Sequence, residues 1–365
     1  MKRVLLIFPH LTSYLLPLIV KLADSQKATF DVVHSSIPSG MGFGGHLPFE
    51  HPNLRWFELP LRRIFGNVSG MYQSGILSHI YHTHPDIILT WSNPRFLSFW
   101  GVLIMGRTMA IPVYARGHGL FKKRAHSILH RNMYKLILAL TEKYICYTPA
   151  VKESLLPLTK NEAKLVVDYN TLHNDFPILS DTRNGKESGI FYIGRIRPGC
   201  GVDLLIESVN KLNQEENMAV ELHVVGDGPV RSFVQREAGK YPWLHYYGAV
   251  YDQKRIREIA QECRFGCGPG FMGLNVVHMF SLSLPVVTHG RLKQHMGPEP
   301  EYIQHKLNGW LLEGEISTQS LKDTLQTLWR MPAGELKHMQ ESAFRSYMQL
   351  GEPPFHERLL AILEL

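Results

Sequence analysis

Three glycine-rich turns in the second half of the chain could hold an anion. They are Gly194-Arg195-Ile196-Arg197-Pro198-Gly199-Cys200-Gly201, Gly226-Asp227-Gly228-Pro229 and Gly268-Pro269-Gly270-Phe271-Met272-Gly273, the last running on into Leu274 and Asn275. Each falls between an apolar run of strand character and a helical pattern. Glycine lets the backbone approach a ligand closely, and the first amides of a helix attract negative charge. Arg195 adds a planar fork that matches phosphate oxygens, and Arg197 can supply a second charge. Asp227 has a competing reading as a simple helix cap. In the first half, Arg116-Gly117-His118-Gly119 follows a strand, and its glycines allow the bend that would present His118. Arg116 is a candidate for an acceptor phosphate or the donor. His10, after the first strand, is placed in the same way.

These turns need a scaffold that lines them up. Apolar runs at 4–8, 30–34, 55–59, 87–90, 112–115 and 144–147 alternate with amphipathic stretches at 94–106 and 125–140. After a polar connection at 168–186 the alternation restarts, with strands at 189–193, 220–225, 244–247, 264–267 and 285–288. Such strand–helix repetition implies parallel sheets of doubly wound α/β type. At 365 residues two domains are expected: 1–175 on the acceptor side and 176–340 for the nucleotide, with a closing helical segment at 341–365. Ligands of such sheets bind beyond the carboxyl ends of the strands, so the cleft between the domains is the expected site.

Composition excludes several classes. Apolar residues at 44% and charged residues at 19% do not describe a disordered chain, and four cysteines are too few for a disulfide scaffold. Proline and polar residues break the N-terminal apolar run, which reads as a buried strand and then a helix and not as a signal peptide; Arg107 and Pro112 break the run at 97–114, which does not read as a membrane span. Cys263-x3-Cys267 with His278 fits no usual zinc spacing. No metal and no other cofactor is expected.

The motifs then show a resemblance. Phe191-Tyr192-Ile193-Gly194-Arg195 with Gly201-Val202-Asp203-Leu204-Leu205-Ile206-Glu207, Leu222 to Pro229, Tyr247-Gly248-Ala249-Val250, Pro285-Val286-Val287 and Pro300-Glu301-Tyr302-Ile303 with Asn308-Gly309 are similar to retaining glycosyltransferases of the GT-B fold (family 4-like, group 1). The similarity spans most of 140–315 and extends weakly to Arg116–Gly119 and Tyr147–Ala150. It implies two Rossmann-like domains facing across a cleft. It also implies metal-independent transfer of a hexosyl group from a nucleotide-diphosphate sugar to a glycan or lipid-linked acceptor, with retention, in bacterial surface polysaccharide synthesis. The leaving phosphate would then serve as base, so no protein nucleophile is required.

The same resemblance assigns roles. His118 would contact the donor sugar. Gly194, Gly226, Val250, Gly270, Gly273, Leu274 and Asn275 would line the donor site, with His278 or Glu301 near the ribose and Glu299 as a catalytic candidate. Two departures stand out. Gly270 and His278 occupy the positions of the family's Glu-x7-Glu pair, and Cys200 that of its phosphate-pairing lysine. The pattern resembles a bacterial subgroup reading Pro-Gly-x-x-Gly-Leu-x-x-x-His, followed by a stretch matching His295-Met296-Gly297-Pro298-Glu299. The departures keep open a non-catalytic partner subunit, and the fold keeps open a sugar-nucleotide epimerase or a glycosidic phosphorylase.

Charge is uneven. Residues 1–175 carry 19 basic and 10 acidic side chains, while the remainder carry 20 and 22. Phe121-Lys122-Lys123-Arg124 leads into a helix at 125–140 whose Leu129, Met133, Leu136 and Leu140 share one face. That stripe reads as core packing beneath a solvated basic face, or alternatively as a dock for anionic lipid. The chain is therefore expected in the cytoplasm, peripheral at the inner face of the cell membrane. Basic residues without interleaved exposed aromatics argue against nucleic acid.

Overall fold

The computed structural model describes residues 1–35, 49–64, 70–121, 127–183 and 187–365. Lys122–Arg124 and residues 184–186 of the expected connection lie outside the described residues. The strands are β1 (Lys2–Phe8), β2 (Ala28–His34), β3 (Leu54–Glu58), β4 (Leu61–Arg63), β5 (Met71–Gln73), β6 (Ile87–Trp91), β7 (Val113–Gly117), β8 (Lys143–Cys146) and β9 (Leu165–Val167), then β10 (Gly189–Ile193), β11 (Glu221–Val225), β12 (Leu244–Gly248), β13 (Cys263–Cys267), β14 (Val286–His289) and β15 (Gly309–Leu312). The helices are α1 (Leu16–Asp24), α2 (Ile76–Thr83), α3 (Leu97–Thr108), α4 (Ile128–Leu140), α5 (Pro149–Leu155), α6 (Val202–Glu215), α7 (Arg231–Ala238), α8 (Gln253–Gln261), α9 (Asn275–Ser281), α10 (Thr318–Trp329), α11 (Ala333–Gly351) and α12 (Phe355–Ile362).

Two parallel sheets result, beside a small antiparallel pair of β4 and β5. One has the order β3-β2-β1-β6-β7-β8-β9 and the other β12-β11-β10-β13-β14-β15. In both, the order reverses beside the first strand, at β1/β6 and at β10/β13, which is the switch point where such sheets open a crevice. Helices cover both faces, so the central strands are apolar without alternation. Val4–Phe8 and Gly189–Ile193 are buried throughout. Separate apolar clusters fill the two faces of each sheet.

The chain divides into two units. The first runs to Asn170 and resumes at Pro353–Leu365, and the second is Thr171–Glu352. The segment expected to close the chain at 341–365 is thus split: α11 stays with the second unit and α12 joins the first. The charge asymmetry survives this division, with 20 basic and 11 acidic residues in the first unit.

Helix α4 differs from the sequence expectation in which side packs. Its buried residues are Tyr134, Ile137 and Leu138. Ile128, Leu129 and Leu136 are 79%, 68% and 50% exposed. Spacing marks an apolar stripe but not the side that docks, and here a second stripe takes the core. Helix α3 starts at Leu97, later than expected, because Asn93 caps a turn: the Phe96 N–H donates to the Asn93 carbonyl at 3.0 Å.

Candidate functional site

The three glycine turns come together at the carboxyl edge of the second sheet. The turns after β10 and β11 continue the ladder past the strand ends, with the Gly194 N–H donating to Val225 O at 3.0 Å and the Ile196 N–H to Asp227 O at 2.9 Å. A side chain at Gly226 would put its Cβ 1.9 Å from Gly194 O. The turn after β13 closes on the first loop from the other side, where a Cβ on Gly270 would lie 2.2 Å from Gly199 O. Any larger residue at these two positions would force the backbones apart. The Gly226 N–H donates to Gly248 O at 2.8 Å, and the Tyr246 hydroxyl donates to Gly226 O at 3.1 Å, fixing the loop that carries Val250.

Arg195 and Arg197 both rise, half-buried, from the first turn. Arg197 lies over the Phe271 ring, 5.5 Å from its centre. Burial lowers its pKa, and the charge of Arg195 lowers it further. Two guanidinium groups within Coulombic reach favour an anion between or over them. Cys200, where a second cation is missing, is buried in the core beneath the loop and faces no ligand.

Asn275 works by its side chain. It accepts from the Gly273 N–H at 2.8 Å and donates to Ile193 O at 3.1 Å, joining the first turn to the third. The Gly273 N–H is thus held by the side chain of Asn275, two residues further on. Asp227 accepts from its neighbour Gly228 N–H at 2.6 Å and pairs with Arg231 at 3.1 Å, so it organises the turn locally. Leu274 is half-buried ahead of α9.

His278 is carried on α9, and its Nε2 is shut off from solvent without a hydrogen-bond partner. Desolvation pushes its pKa down to about 4. The residue as a whole is partly exposed, so Nε2 is the enclosed edge of the ring. Glu299 is 2% exposed and opens the short turn Glu299–Tyr302. Its carboxylate lies beside the Gly273 turn, 3.6 Å from where a Cβ there would sit. Glu301, two residues on, is half-buried.

A histidine pair supports this loop, and sequence reading did not single it out. The rings of His289 and His295 stack at 3.8 Å and 7°. The Met272 N–H donates to His295 Nδ1 at 3.2 Å, and His295 Nε2 donates to His289 O at 3.0 Å, so a neutral ring clamps the third turn to β14. The signal in the sequence was weak, because His289 and His295 belong to different local elements. Burial, reinforced by the facing ring, lowers His289 to about 3, and burial lowers His295 to about 4. Below pH 6.5 the unfolded chain takes up protons that the folded pair refuses, so stability is full above 6.5 and declines as pH falls toward 4. The melting temperature should accordingly drop between pH 7 and pH 5. His289→Phe, which keeps a stacked ring, should flatten that slope; equal slopes in thermal melts would refute the assignment.

In the first unit, His10 lies just past β1 at the switch point and is half-buried, with its ring edge 6.1 Å from Phe96. His118 follows β7, is exposed, and meets Tyr147 edge-on at 4.8 Å. Arg116 is a different matter. It has no exposed surface, and its guanidinium is sandwiched 4.5 Å from each of Tyr147 and Phe355. It donates to Asn170 Oδ1 at 3.1 Å and to Asp168 O at 3.4 Å, and its Nε lies 3.6 Å from Asp168 Oδ2. The acceptor contact expected of Arg116 does not fit this placement; the side chain points into the core between β7 and α12.

Residues 187–331 match the model of glycosyl transferases group 1. That match covers 145 of the 365 residues, all of them within the second unit. Solved structures match the whole chain at the level of fold. The HepE protein of Anabaena, crystallised with UDP and glucose, superposes with a TM-score of 0.69 at 15% identity, covering 100% of this chain and 99% of its own. A glycosyltransferase from Rickettsia africae gives 0.68 at 15%, covering 99% and 97%. The lipopolysaccharide outer core galactosyltransferase WaaB gives 0.66 at 14%, covering 100% and 99%. The fold is that of GT-B glycosyltransferases, with two Rossmann-like domains. No curated protein sequence matches this chain.

Proposed function

We propose that the chain is a retaining glycosyltransferase that takes a hexosyl group from a uridine diphosphate sugar and passes it to a glycan or lipid-linked saccharide. The single observation that carries this reading is the meeting of the three glycine turns with Arg195 and Arg197 at the switch point of a glycosyl transferase domain. UDP and glucose bound to HepE support uracil as the base. In the reaction the C1–O bond to the diphosphate breaks as the acceptor oxygen bonds C1, and the acceptor proton passes to the departing phosphate oxygen. Negative charge grows on that phosphate, and fixed cations stabilise it without reorganising. Arg195 and Arg197 take that role. Gly194, Gly226, Val250, Gly270 and Leu274 shape the donor site, with Asp227, Gly273 and Asn275 holding the turns. Glu299 and Glu301 are assigned to the sugar and ribose hydroxyls, and His118 and His10 to the sugar and acceptor.

Calorimetric titration with UDP-, GDP- and ADP-sugars tests this. Saturable binding of one of them and hydrolysis or transfer of its sugar are expected. Binding without turnover toward any acceptor would favour the non-catalytic partner reading that Gly270 and His278 raise, and no binding at all would sink both.

The exposed stripe of α4 bears on the acceptor. Leu129 and Leu136 lie on a helix with Arg131 and Lys135, in the unit that holds the positive excess. Apolar side chains among basic ones suit a surface of anionic lipid, each basic residue contributing about 1 kcal/mol there. A lipid-linked acceptor at the inner membrane face would be met in that way. No helix among the described residues is long and apolar enough to cross a membrane. Sedimentation with anionic vesicles should fall several-fold in Leu129→Ser/Leu136→Ser and at high salt. Equal binding to neutral and anionic vesicles would dismiss the idea.

A further inference from the structure

Apart from the glycine turns, the second sheet carries one cluster of metal-ligating side chains among the described residues: Glu221, His223 and His245, with one ligand atom of each within 4.8 Å of the others. Strand geometry creates it. Glu221 and His223 are two apart on β11 and so share a face. His245 on β12 is the direct register partner of His223. The two imidazoles stack at 4.8 Å, and the Glu221 Oε2 lies 3.4 Å from His223 Nε2 and 3.9 Å from His245 Nε2.

His223 is the informative member. It is 4% exposed, and its Nε2 is buried with no hydrogen-bond partner, aimed at the carboxylate and the second imidazole. Its Nδ1 meets the Tyr247 hydroxyl at 2.9 Å. With Nδ1–H donating to that oxygen, the Nε2 lone pair faces into the cluster, which is the arrangement of a metal-bound histidine and its supporting partner. Space for the ring is made by Gly189 on β10, where a Cβ would fall 2.8 Å from Nε2. With the proton on Nδ1, a lone pair on Nε2 and a carboxylate oxygen face each other at 3.4 Å, an arrangement that a cation between them would relieve.

We propose that Glu221, His223 and His245 bind one divalent transition-metal ion of the zinc class, clamping β11 to β12. Two imidazoles and a carboxylate are a zinc-type donor set, and three protein ligands leave a fourth position for water. Tetrahedral bonds of about 2.0–2.1 Å need ligand atoms roughly 3.3 Å apart. The His223–Glu221 separation already matches. Glu221 and His245, with side chains 42% and 38% exposed, can close the rest and give the ion access from solvent. The site lies on the sheet itself, nearer the amino ends of the strands than the Gly226 and Gly248 turns, and does not depend on the transferase reading.

Chelator-treated full-length chain titrated with Zn2+, and with Co2+ for its visible absorption, tests the site. One equivalent should bind with a micromolar or tighter Kd, give a tetrahedral Co2+ spectrum and raise the melting temperature. His245→Ala and Glu221→Gln, both at partly exposed positions, should each weaken binding tenfold or more while melting like the metal-free wild type. Tyr247→Phe should weaken it by about tenfold through the lost partner of Nδ1. No stoichiometric binding by the wild type would overturn the proposal. So would an equivalent that binds unchanged in the His245→Ala/Glu221→Gln double variant, since other histidines would then hold it.

Discussion

Replacing Arg195 by alanine should lower kcat by about two to three orders of magnitude, the usual cost of removing one fixed donor from developing charge. The guanidinium stands on a turn whose two neighbours hold it by backbone hydrogen bonds, so the charge is lost without the turn collapsing. KM for the nucleotide sugar should rise much less, because the ground-state diphosphate keeps Arg197 and the backbone of the turns. Arg195→Lys should recover part of the rate, since it restores charge but not the planar fork. Steady-state kinetics with a UDP-sugar decide the matter. Wild-type kcat in Arg195→Ala would refute the phosphate assignment, whereas unchanged folding with complete loss of nucleotide binding would assign Arg195 to uniform binding.

The second large effect is on stability. Asp168→Ala should destabilise the first unit by about 3–5 kcal/mol. Asp168 is wholly buried between Arg116, 3.6 Å away, and Arg358, 2.8 Å away. Its removal leaves the Arg116 guanidinium without a counter-charge in the core, held only by carbonyl and amide oxygens and the rings of Tyr147 and Phe355. For a unit of this size the melting temperature should fall by roughly 10 °C or more. Thermal and urea melts followed by circular dichroism would show it, and a change below 1 kcal/mol would mean that the aromatic sandwich alone carries the cation. Arg358→Ala should cost less, because that side chain is partly exposed and can be replaced by water.

These two arginines also mark how far the sequence could be read. The placement of Arg195 on its turn was legible because its surroundings are local: a strand, a glycine turn and a helix lie within one short run. Arg116 looked equivalent, following the same grammar of strand and glycine. Its partner Asp168 lies two strands away and Phe355 sits almost at the chain's end, so nothing nearby announced that the side chain turns inward. The same reason explains His289 and His295, and Glu221, His223 and His245, whose members meet only through sheet register. The strands of the two sheets were mostly legible from their apolar runs, because parallel strands buried on both faces do not alternate. In the sheets β9 and β15 were missed, and so was the separate antiparallel pair β4 and β5; β4, β5 and β9 are only three residues long and carry too little pattern. On α4 the stripe was correctly located, yet its orientation depends on which of two apolar sides finds a partner.

Helix α12 sets an order on synthesis. Leu359, Leu360 and Leu363 are buried on the first unit, in the cluster with Leu18, Ile19 and Leu22 of α1. They leave the ribosome only after the whole of the second unit. At about 5–20 residues per second, the first unit waits on the order of ten seconds or more with that apolar groove uncovered and with Arg358 not yet beside Asp168. The second unit is continuous in sequence and can finish first. Of the two units, the one made first is the one that completes folding last, and its unfilled groove is the surface a nascent-chain chaperone would meet.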